Sequence, residues 1–179
     1  LTPPRDFPVL YEGAQGQLWL GYALAKHKLF RYDQQRDSFL LLDTNQLDQT
    51  VRALWQDTAD ELLMASGAAG LWQFDLSAAS DTIPYQEFRA DPQDATSLPT
   101  DYMAQGIWRD TEGKLWILTE SGLSCRPAGA ESFKNYTWSE VPVENEGLHF
   151  WPDTTRKCFW IGTFAGLVRF NCEEESYER

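Results

Sequence analysis

Short runs of alternating apolar and polar residues follow one another along the chain, and turns rich in Asp and Gly separate them. The clearest pair of runs covers residues 106–109 and 115–118, joined by the turn Asp110-Thr-Glu-Gly113. Alternation with a period of two is typical of β-strands. Asp at the first position and Gly at the last favour a tight turn between two strands. No stretch sustains a helical period, so the pattern predicts an all-β chain.

This order of strands and turns recurs four times. The first strand of each repeat carries an aromatic residue, and the second carries a Trp or Leu. The spacings are 44, 53 and 43 residues in the first column and 44, 53 and 44 in the second. The two columns are Tyr11, Trp55, Trp108 and Trp151, and Trp19, Leu63, Trp116 and Trp160. Two columns that keep step across four copies indicate an internal repeat.

Each repeat contains four short strands, and four-stranded units of roughly 40 to 50 residues are typical of β-propeller blades. We predict a single β-propeller segment with four-stranded antiparallel blades at about residues 7–46, 47–98, 99–145 and 146–179. A lone blade is apolar on both faces, so the aromatic columns should pack one blade against the next, with most Trp buried. Another copy of the chain, or further blades of a larger propeller, would cover the open edges.

The charge of the chain excludes some partners. It has 15 Lys and Arg against 27 Asp and Glu, a formal charge of −12. Nucleic acids and anionic lipid surfaces attract an excess of Lys and Arg, so we expect no nucleic-acid partner. No apolar run approaches the roughly 18 residues of a membrane span, so a membrane would be reached only through segments absent here. Because the chain begins without Met, we expect it to be a piece of a longer protein.

Two segments resemble the two-component regulator propeller repeat. The first covers residues 97–123 and contains Trp108-Arg-Asp-Thr-Glu-Gly-Lys-Leu-Trp-Ile-Leu-Thr-Glu-Ser-Gly-Leu123. The second is Phe159-Trp-Ile-Gly-Thr-Phe-Ala-Gly-Leu-Val-Arg-Phe170. The resemblance is strong from about residue 97 onward and weaker before it, where Leu63-Met-Ala-Ser-Gly67 replaces Trp-Ile-Gly-Thr. The motif is structural, so it specifies the fold rather than the ligand.

The resemblance implies a function for the chain. In that family the repeats form propellers in the periplasmic sensor regions of inner-membrane proteins. These regions precede a hybrid histidine kinase and response regulator, or a diguanylate cyclase, and several subgroups sense products of polysaccharide breakdown. The family's sensor regions carry more than four blades. We therefore expect a periplasmic, ligand-sensing propeller portion, with a carbohydrate-type small molecule or oligosaccharide as its ligand.

Propeller topology predicts where a ligand would bind. The connections between the second and third strands lie at the same end of the blades as the connections between blades, and ligands usually bind there. The predicted ligand-binding residues are Lys26, His27, Glu120 and Phe164 in the first kind of connection, and Asn45, Tyr102 and Asn145 in the second. Aromatic rings beside polar groups suit sugars, so Tyr102 and Phe164 are the strongest candidates.

Catalytic chemistry has little support in the sequence. The chain has only two His, His27 and His149, and no nucleophile elbow, zinc-protease motif, Walker loop or Cys-x-x-Cys pair. Asp57, Asp110 and Asp153 recur in register, which indicates turn formation rather than acid–base work. We therefore predict no catalytic residue, no metal and no cofactor, and no enzymatic activity for this segment.

Two other functions stay open. The chain could be a protein-interaction scaffold, because acidic charge with exposed Tyr and Phe would suit a basic partner. It could also be a propeller-type lyase, although two distant His are a poor basis for the required cluster of His, acid and metal ligands. An aromatic-lined pocket would favour the sensor over both.

The three cysteines cannot all form internal disulfides. Cys158 and Cys172 flank a predicted hairpin, and a register in which paired residues sum to 330 would place them opposite each other. Opposed strand positions can satisfy disulfide geometry, so we predict a possible Cys158–Cys172 bridge. A slip of one residue would turn the two side chains to opposite faces. Cys125 is expected to pack as a small apolar residue.

Overall fold

The computed structural model describes residues 9–21, 29–42, 50–78, 83–138 and 147–178. These residues form β-strands, turns and one 3-10 turn at Ala14–Gly16. Within each group of four consecutive strands, every strand pairs with its sequence neighbour in antiparallel fashion. The predicted all-β class, built of four-stranded antiparallel blades, is confirmed. Among the described residues, no helix has the length and apolar character needed to cross a membrane.

The chain divides into two compact units, residues 1–88 and 89–179. The first unit contains two four-stranded sheets with their strands in sequential order, which we call blade 1 and blade 2. Blade 1 consists of β1 (Val9–Glu12), β2 (Leu18–Gly21), β3 (Leu29–Asp33) and β4 (Ser38–Leu41). Blade 2 consists of β5 (Val51–Trp55), β6 (Glu61–Ser66), β7 (Leu71–Asp75) and β8 (Tyr85–Phe88).

The second unit contains blade 3 and blade 4. Blade 3 consists of β9 (Met103–Arg109), β10 (Leu115–Thr119), β11 (Gly122–Arg126) and β12 (Lys134–Thr137). Blade 4 consists of β13 (Gly147–Asp153), β14 (Cys158–Thr163), β15 (Gly166–Asn171) and β16 (Ser176–Glu178). A parallel pairing of Gln105 with His149 joins β9 to β13, so the two blades form one eight-stranded sheet. Each set of four strands lies inside one predicted blade, and the blade limits themselves stay predictions.

Aromatic and aliphatic side chains pack the two blades of each unit face to face. We call the face that meets the following blade the forward face and the face that meets the preceding blade the back face. The forward face of blade 3 contributes Trp116, Leu118, Leu123, Cys125 and Trp138 to the core of the second unit, and the back face of blade 4 contributes Phe150, Phe159, Ile161, Val168 and Phe170. Phe159 lies centrally, with its ring 4.9 Å from the rings of both Trp116 and Phe150.

The core of the first unit is built in the same way. Trp19 and Leu29 of blade 1 pack on blade 2 residues that follow the same alternation, namely Leu54, Leu62, Met64, Trp72 and Phe74. Trp19 is fully buried. Repeating one packing scheme in both units explains the constant spacing of the aromatic columns, because each column position supplies the same face of its blade.

A buried polar contact explains why Gly13 stands where blades 3 and 4 have Asp. The indole Nε1 of Trp116 donates to Asp110 Oδ2 of its own blade at 3.1 Å. Its equivalent in blade 1, Trp19, instead donates to Oε1 of the buried Gln56 in blade 2, at 2.8 Å. A Cβ atom on Gly13 would lie 2.3 Å from that Oε1. The missing side chain at Gly13 therefore makes room for an acceptor from the neighbouring blade.

The burial of the Trp residues differs along the chain. Trp19, Trp72, Trp116 and Trp138 are buried as predicted, whereas Trp151 is 68% exposed. The reason is its position on the forward face of blade 4, which no later blade of its unit covers. Its equivalent Trp108 is half-buried because its ring packs on Phe159 of blade 4, at a centroid distance of 5.5 Å.

The predicted register between Cys158 and Cys172 is wrong by one residue. Cys158 pairs with Asn171, and Trp160 pairs with Arg169. Because side chains alternate, Cys172 follows Phe170 onto the back face, where it packs against the core. Cys158, two residues before Trp160 on β14, lies on the forward face. The two sulfurs thus lie on opposite faces of the sheet, and all three cysteines are free thiols.

Tyr177 of blade 4 ties two strands of blade 3 together next to Gly122. Leu123 N donates to the Tyr177 hydroxyl at 2.9 Å, and that hydroxyl donates to Tyr136 O at 2.5 Å. Gly122 has φ +135°, and a Cβ atom there would lie 2.0 Å from Tyr136 O. A side chain at this position would therefore collide with the backbone of β12 beside the Tyr177 bridge.

We expect Gly122→Ala to destabilise the chain more than the matched variant Gly166→Ala. Both glycines have φ values that L side chains rarely adopt, +135° and +125°, and such strain costs about 1–3 kcal/mol. Only the Gly122 variant adds a collision, because nothing lies within 4 Å of a Cβ atom at Gly166. Urea unfolding measures both losses, and equal losses would contradict the packing around Tyr177.

A double-mutant cycle tests whether the missing side chain of Gly13 makes room for Gln56 as the acceptor of the Trp19 indole. Gly13→Asp alone overpacks the site, and Gln56→Ala alone leaves the Trp19 indole N–H without its acceptor. Each change should cost about 1–3 kcal/mol of unfolding free energy. Combining the two should recover part of the loss, because the introduced carboxylate could then accept from Trp19 as Asp110 accepts from Trp116. Strict additivity of the two losses would refute this account.

Candidate functional site

The predicted ligand-binding residues are only partly described by the structure. Lys26, His27, Asn45 and Asn145 lie outside the described residues. The other three, Tyr102, Glu120 and Phe164, are exposed, Tyr102 at 52% and Phe164 at 71%. We call the ends of blades 3 and 4 that carry these three residues the loop end.

The loop end brings Tyr102 and Glu120 together. Glu120 N donates to Tyr102 O at 3.1 Å, and the Trp138 indole donates to Glu120 O at 2.8 Å. Phe164 occupies the equivalent turn of blade 4, since both turns are closed by a Thr hydroxyl that donates to a Gly carbonyl at 2.9 Å. In the part of the chain that the structure describes, Phe164 makes no hydrogen bond or ring contact with the other two.

A cleft of about 320 Å³ lies at the opposite end of blades 3 and 4. It opens where β9 and β13 finish, whereas the loop end is where these strands begin. We call it the turn-end cleft. Its lining combines aromatic rings, four carboxylates, two lysines and two thiols: Trp108, Asp110, Thr111, Glu112, Lys114, Trp116, Pro152, Asp153, Thr154, Lys157, Cys158, Phe159, Cys172 and Glu173.

Three aromatic rings in the lining hold one another in place. The Phe159 ring contacts Trp116 at 4.9 Å and meets Trp108 edge-on at 5.5 Å. Trp116 and Phe159 belong to the buried core of the second unit, while Trp108 is half-buried. The apolar part of the cleft is therefore continuous with the packed interior and rigid, which lowers the entropic cost of binding a ligand.

The two aspartates of the cleft hold its turns. Asp110 Oδ1 accepts from the N–H groups of Glu112 and Lys114, both at 2.9 Å, while its Oδ2 accepts from the Trp116 indole. Asp153 accepts from the backbone N–H and the guanidinium of Arg156, and the hydrogen bond from the guanidinium holds the pKa of Asp153 below its usual value. The predicted turn-forming role is confirmed for these two residues.

The four other charged groups of the cleft form two ion pairs, one on each blade. Lys114 lies 2.7 Å from Glu112 on blade 3, and Lys157 lies 2.5 Å from Glu173 on blade 4. The hydrogen bond from Lys114 lowers the pKa of Glu112, and the hydrogen bond to Glu173 raises the pKa of Lys157. Exposed pairs of this kind add little to the stability of a fold, because water and salt screen the two charges. Their side chains can therefore exchange partners with a ligand at little cost.

Two thiols at and beside the cleft, those of Cys172 and Cys125, have low reactivity at neutral pH. Burial raises the pKa of Cys172 to about 12 and that of Cys125, in the adjoining core, to about 11. A thiol attacks electrophiles and binds metals as its thiolate, so neither residue is an activated nucleophile at neutral pH. Among the described residues, no group of three or more His, Cys, Asp and Glu is placed to hold a metal ion.

A second cleft, of about 400 Å³, lies on blade 2. It is lined by Asp60, Glu61, Gln73, Phe74, Asp75, Pro84, Tyr85 and Gln86. Gln73 donates to Glu61 at 2.6 Å, and hydrogen bonds from Ser77 lower the pKa of Asp75. Among the described residues, its lining contains carboxylates and amides but no Lys or Arg, unlike the turn-end cleft with its paired charges.

The turn-end cleft was absent from the sequence-based prediction, although the sequence contains a signal for it. Asp110 and Lys114, and Asp153 and Lys157, share one spacing at the same place in two consecutive repeats. Corresponding turns of neighbouring blades lie side by side, so this shared spacing brings two lysines to one cleft. The sequence analysis instead predicted ligand-binding residues at the loop end, because ligands of propellers usually bind at that end.

Comparisons with known proteins identify the fold. No protein-family model and no curated protein sequence matches the chain. Among solved structures, it is similar to the extracellular domain of BT3049 from B. thetaiotaomicron, described as a hybrid two-component system, with a TM-score of 0.76 and 18% identity over 97% of this chain. The corresponding domain of BT4673 gives 0.74 and 20% over 94%.

A third similar structure comes from a different system. It is PorZ, a surface component of the type-IX secretion system of Porphyromonas gingivalis, with a TM-score of 0.70 and 12% identity over 98% of this chain. The chain covers 24%, 23% and 27% of BT3049, BT4673 and PorZ, about a quarter of each. At these identities the likeness establishes the shared fold.

Alkylation tests the neutral state of the two buried thiols. In the folded chain at pH 8, iodoacetamide should modify Cys172 and Cys125 far more slowly than in urea, because their pKa values of about 12 and 11 leave little thiolate. Mass spectrometry of peptides gives both rates. Fast modification of Cys172 in the folded chain would contradict its burial.

The same raised pKa values give the sign of a pH dependence. The pKa of each thiol in the folded chain lies above the ordinary value of 9.0. The stability that each protonated thiol contributes is therefore complete below pH 9, and it is lost as the pH rises toward the folded pKa. Cys172→Ala should therefore flatten the fall in unfolding free energy above pH 9.

Proposed function

We propose that the chain is the ligand-sensing portion of a bacterial periplasmic sensor in two-component signal transduction, and that it recognises a carbohydrate-type small molecule without catalysing a reaction. The similarity of its fold to extracellular domains of two-component systems supports the sensor role. Because the chain spans about a quarter of those structures, a membrane anchor and a histidine kinase or cyclase module belong to the proposal as parts of a longer protein.

The composition of the turn-end cleft is the observation that carries the choice of ligand. Rings such as Trp108 can contact the apolar C–H face of a sugar, while Lys114 and Glu112 can bond its hydroxyls. The lysines are paired with glutamates and the aspartates with turn N–H groups, so most of the charge is compensated before a ligand enters. A neutral polyhydroxylated ligand would then bind without leaving a buried charge unpaired.

The position of the cleft also supports a signalling mechanism. One wall comes from the β9–β10 turn of blade 3, and the other from the β13–β14 turn of blade 4. A ligand that bonds Lys114 and Lys157 together would favour one spacing of the two turns. Such a ligand shifts the population toward that spacing by its difference in affinity, and the shift can be passed to an attached output module.

A protein-interaction scaffold is the second candidate function. It is favoured by the large apolar side chains that blade 4 exposes, Trp151 at 68% and Leu167 at 64%. Isolated exposed apolar residues are ordinary, but two on one sheet face suit a protein partner.

A glycan screen followed by calorimetry tests the proposal. We expect one class of neutral oligosaccharide to raise the melting temperature and to bind with a measurable Kd. Lys114→Gln and Lys157→Gln should each weaken that binding about tenfold, the loss of one charge-assisted hydrogen bond. Lys134→Gln is the matched control, because Lys134 pairs with Glu175 and is not part of the cleft lining.

Two results would contradict the proposal. If no glycan binds, the carbohydrate ligand is wrong. If Tyr102→Ala and Phe164→Ala abolish binding while the lysine variants leave it unchanged, the ligand occupies the loop end instead of the turn-end cleft. Circular dichroism of each variant separates lost binding from lost folding.

A further inference from the structure

The turn-end cleft changes in polarity with depth. Its most buried lining side chains are those of Cys158, Phe159 and Trp116, which are exposed by 2%, 1% and 5%. We call these three the floor of the cleft. The side chains of the two ion pairs are at least 44% exposed, and we call them the rim. A group that enters the cleft therefore passes charges first and then meets carbon and sulfur.

The floor favours an apolar group over a hydroxyl. The indole Nε1 of Trp116 already donates to Asp110 at 3.1 Å. The Cys158 thiol bonds only weakly to hydrogen-bonding groups, and the Phe159 ring has no such group. A hydroxyl on this floor would lose its hydrogen bonds to water without replacing them, whereas a methyl group would gain from leaving water. A sugar with a methyl-bearing substituent therefore suits the cleft better than one with hydroxyls alone.

The rim indicates which polar atoms should accompany the methyl group. Glu112 lies on the blade 3 wall and Lys157 on the blade 4 wall. The pKa of Glu112 is lowered first by the hydrogen bond from Lys114, and the charge of Lys157 lowers it further. Glu112 and Lys157 are thus close enough to act on each other across the cleft. A neutral group that donates to Glu112 and accepts from Lys157 would bond to both walls at once.

An acetamido group meets both requirements. Its methyl is apolar, its N–H donates a hydrogen bond, and its carbonyl oxygen accepts one. The N–H and the C=O of a trans amide point in opposite directions. One of them can therefore meet a carboxylate on one wall while the other meets an ammonium on the opposite wall. A 6-deoxy sugar also carries a methyl group, but it lacks an amide that could bond to both walls.

We infer that the turn-end cleft recognises an N-acetylated amino sugar. The acetyl methyl packs on the floor beside Cys158 and Phe159. The amide N–H donates to Glu112, and the carbonyl oxygen accepts from Lys157. The substituent is neutral, so it fits a cleft whose own charges are compensated before a ligand enters. This inference rests on the proposed carbohydrate ligand and specifies its class.

Pairs of sugars that differ only in this substituent test the inference. N,N′-diacetylchitobiose has acetamido groups where cellobiose has hydroxyls, and N-acetylgalactosamine and galactose form a second pair with another ring stereochemistry. In calorimetry at least one acetylated sugar should bind about tenfold more tightly than its partner, the usual effect of one apolar group in a hydrophobic pocket. Chitobiose, with free amino groups, should bind no better than cellobiose, because it lacks the methyl and the carbonyl.

Serine variants locate the acetyl group. Cys158→Ser puts a hydroxyl on the floor, so it should remove most of the tenfold preference and leave the affinity for the plain sugar unchanged. Cys125→Ser is the matched control, because Cys125 is a buried thiol outside the cleft lining, and it should keep the preference. The ratio of the two affinities is the readout, since partial unfolding lowers both. If Cys158→Ser fails to fold by circular dichroism, Cys172→Ser replaces it at the other thiol of the lining.

The outcomes separate this inference from the proposed function. Equal affinities for acetylated and plain sugars would overturn the inference and leave a carbohydrate sensor in place. Binding of another neutral glycan, with none of the acetylated probes bound, would do the same. If no glycan binds at all, both the inference and the proposed ligand are wrong. A preference that persists unchanged in the folded serine variants of the cleft would place the acetyl group elsewhere and would also overturn the inference.

Discussion

The packing of a forward face on a back face is the contact on which the rest of this protein depends. A four-stranded blade is too thin to bury its own side chains, so its stability comes from the next blade. Phe159 illustrates this dependence, because its ring contacts Trp116 of blade 3 and Phe150 of blade 4 at 4.9 Å each. The turn-end cleft is a consequence of the same contact. It forms where two packed blades end and their turns separate.

The fold could be predicted from the sequence because the repeat expresses this packing directly. The columns that begin at Tyr11 and Trp19 keep their spacing since each position must supply the same face of every blade. The turn role of Asp110 was equally predictable. An Asp three residues before Gly113 stands at the first position of a tight turn, where its carboxylate accepts hydrogen bonds from the backbone N–H groups of the turn. Gly13 departs from the pattern for a reason that only the structure reveals, the buried Gln56 of the next blade.

Register and the location of the site were harder to predict. Whether Cys158 lies opposite Cys172 depends on the exact register of the hairpin. Because side chains alternate between the two faces of a sheet, a shift of one residue moves the two sulfurs to opposite faces. The ligand-binding residues were predicted from the end of a propeller at which ligands usually bind. That general rule does not specify the lengths of the individual turns. Lys157 and Glu173 come together only because two turns of blade 4 have lengths that no periodicity encodes. Exposure of Trp151 likewise depends on which blades are present.

The central functional claim is that the turn-end cleft binds a carbohydrate-type ligand. The ¹H–¹⁵N spectrum of the tryptophan indoles tests it most directly, since the 8 Trp side chains give separate reporters. Titration with the glycan that stabilises the chain should shift the Trp108 and Trp116 signals and leave those of Trp19 and Trp72 in place. Saturable shifts confined to Trp138, beside Glu120 at the loop end, would contradict the account.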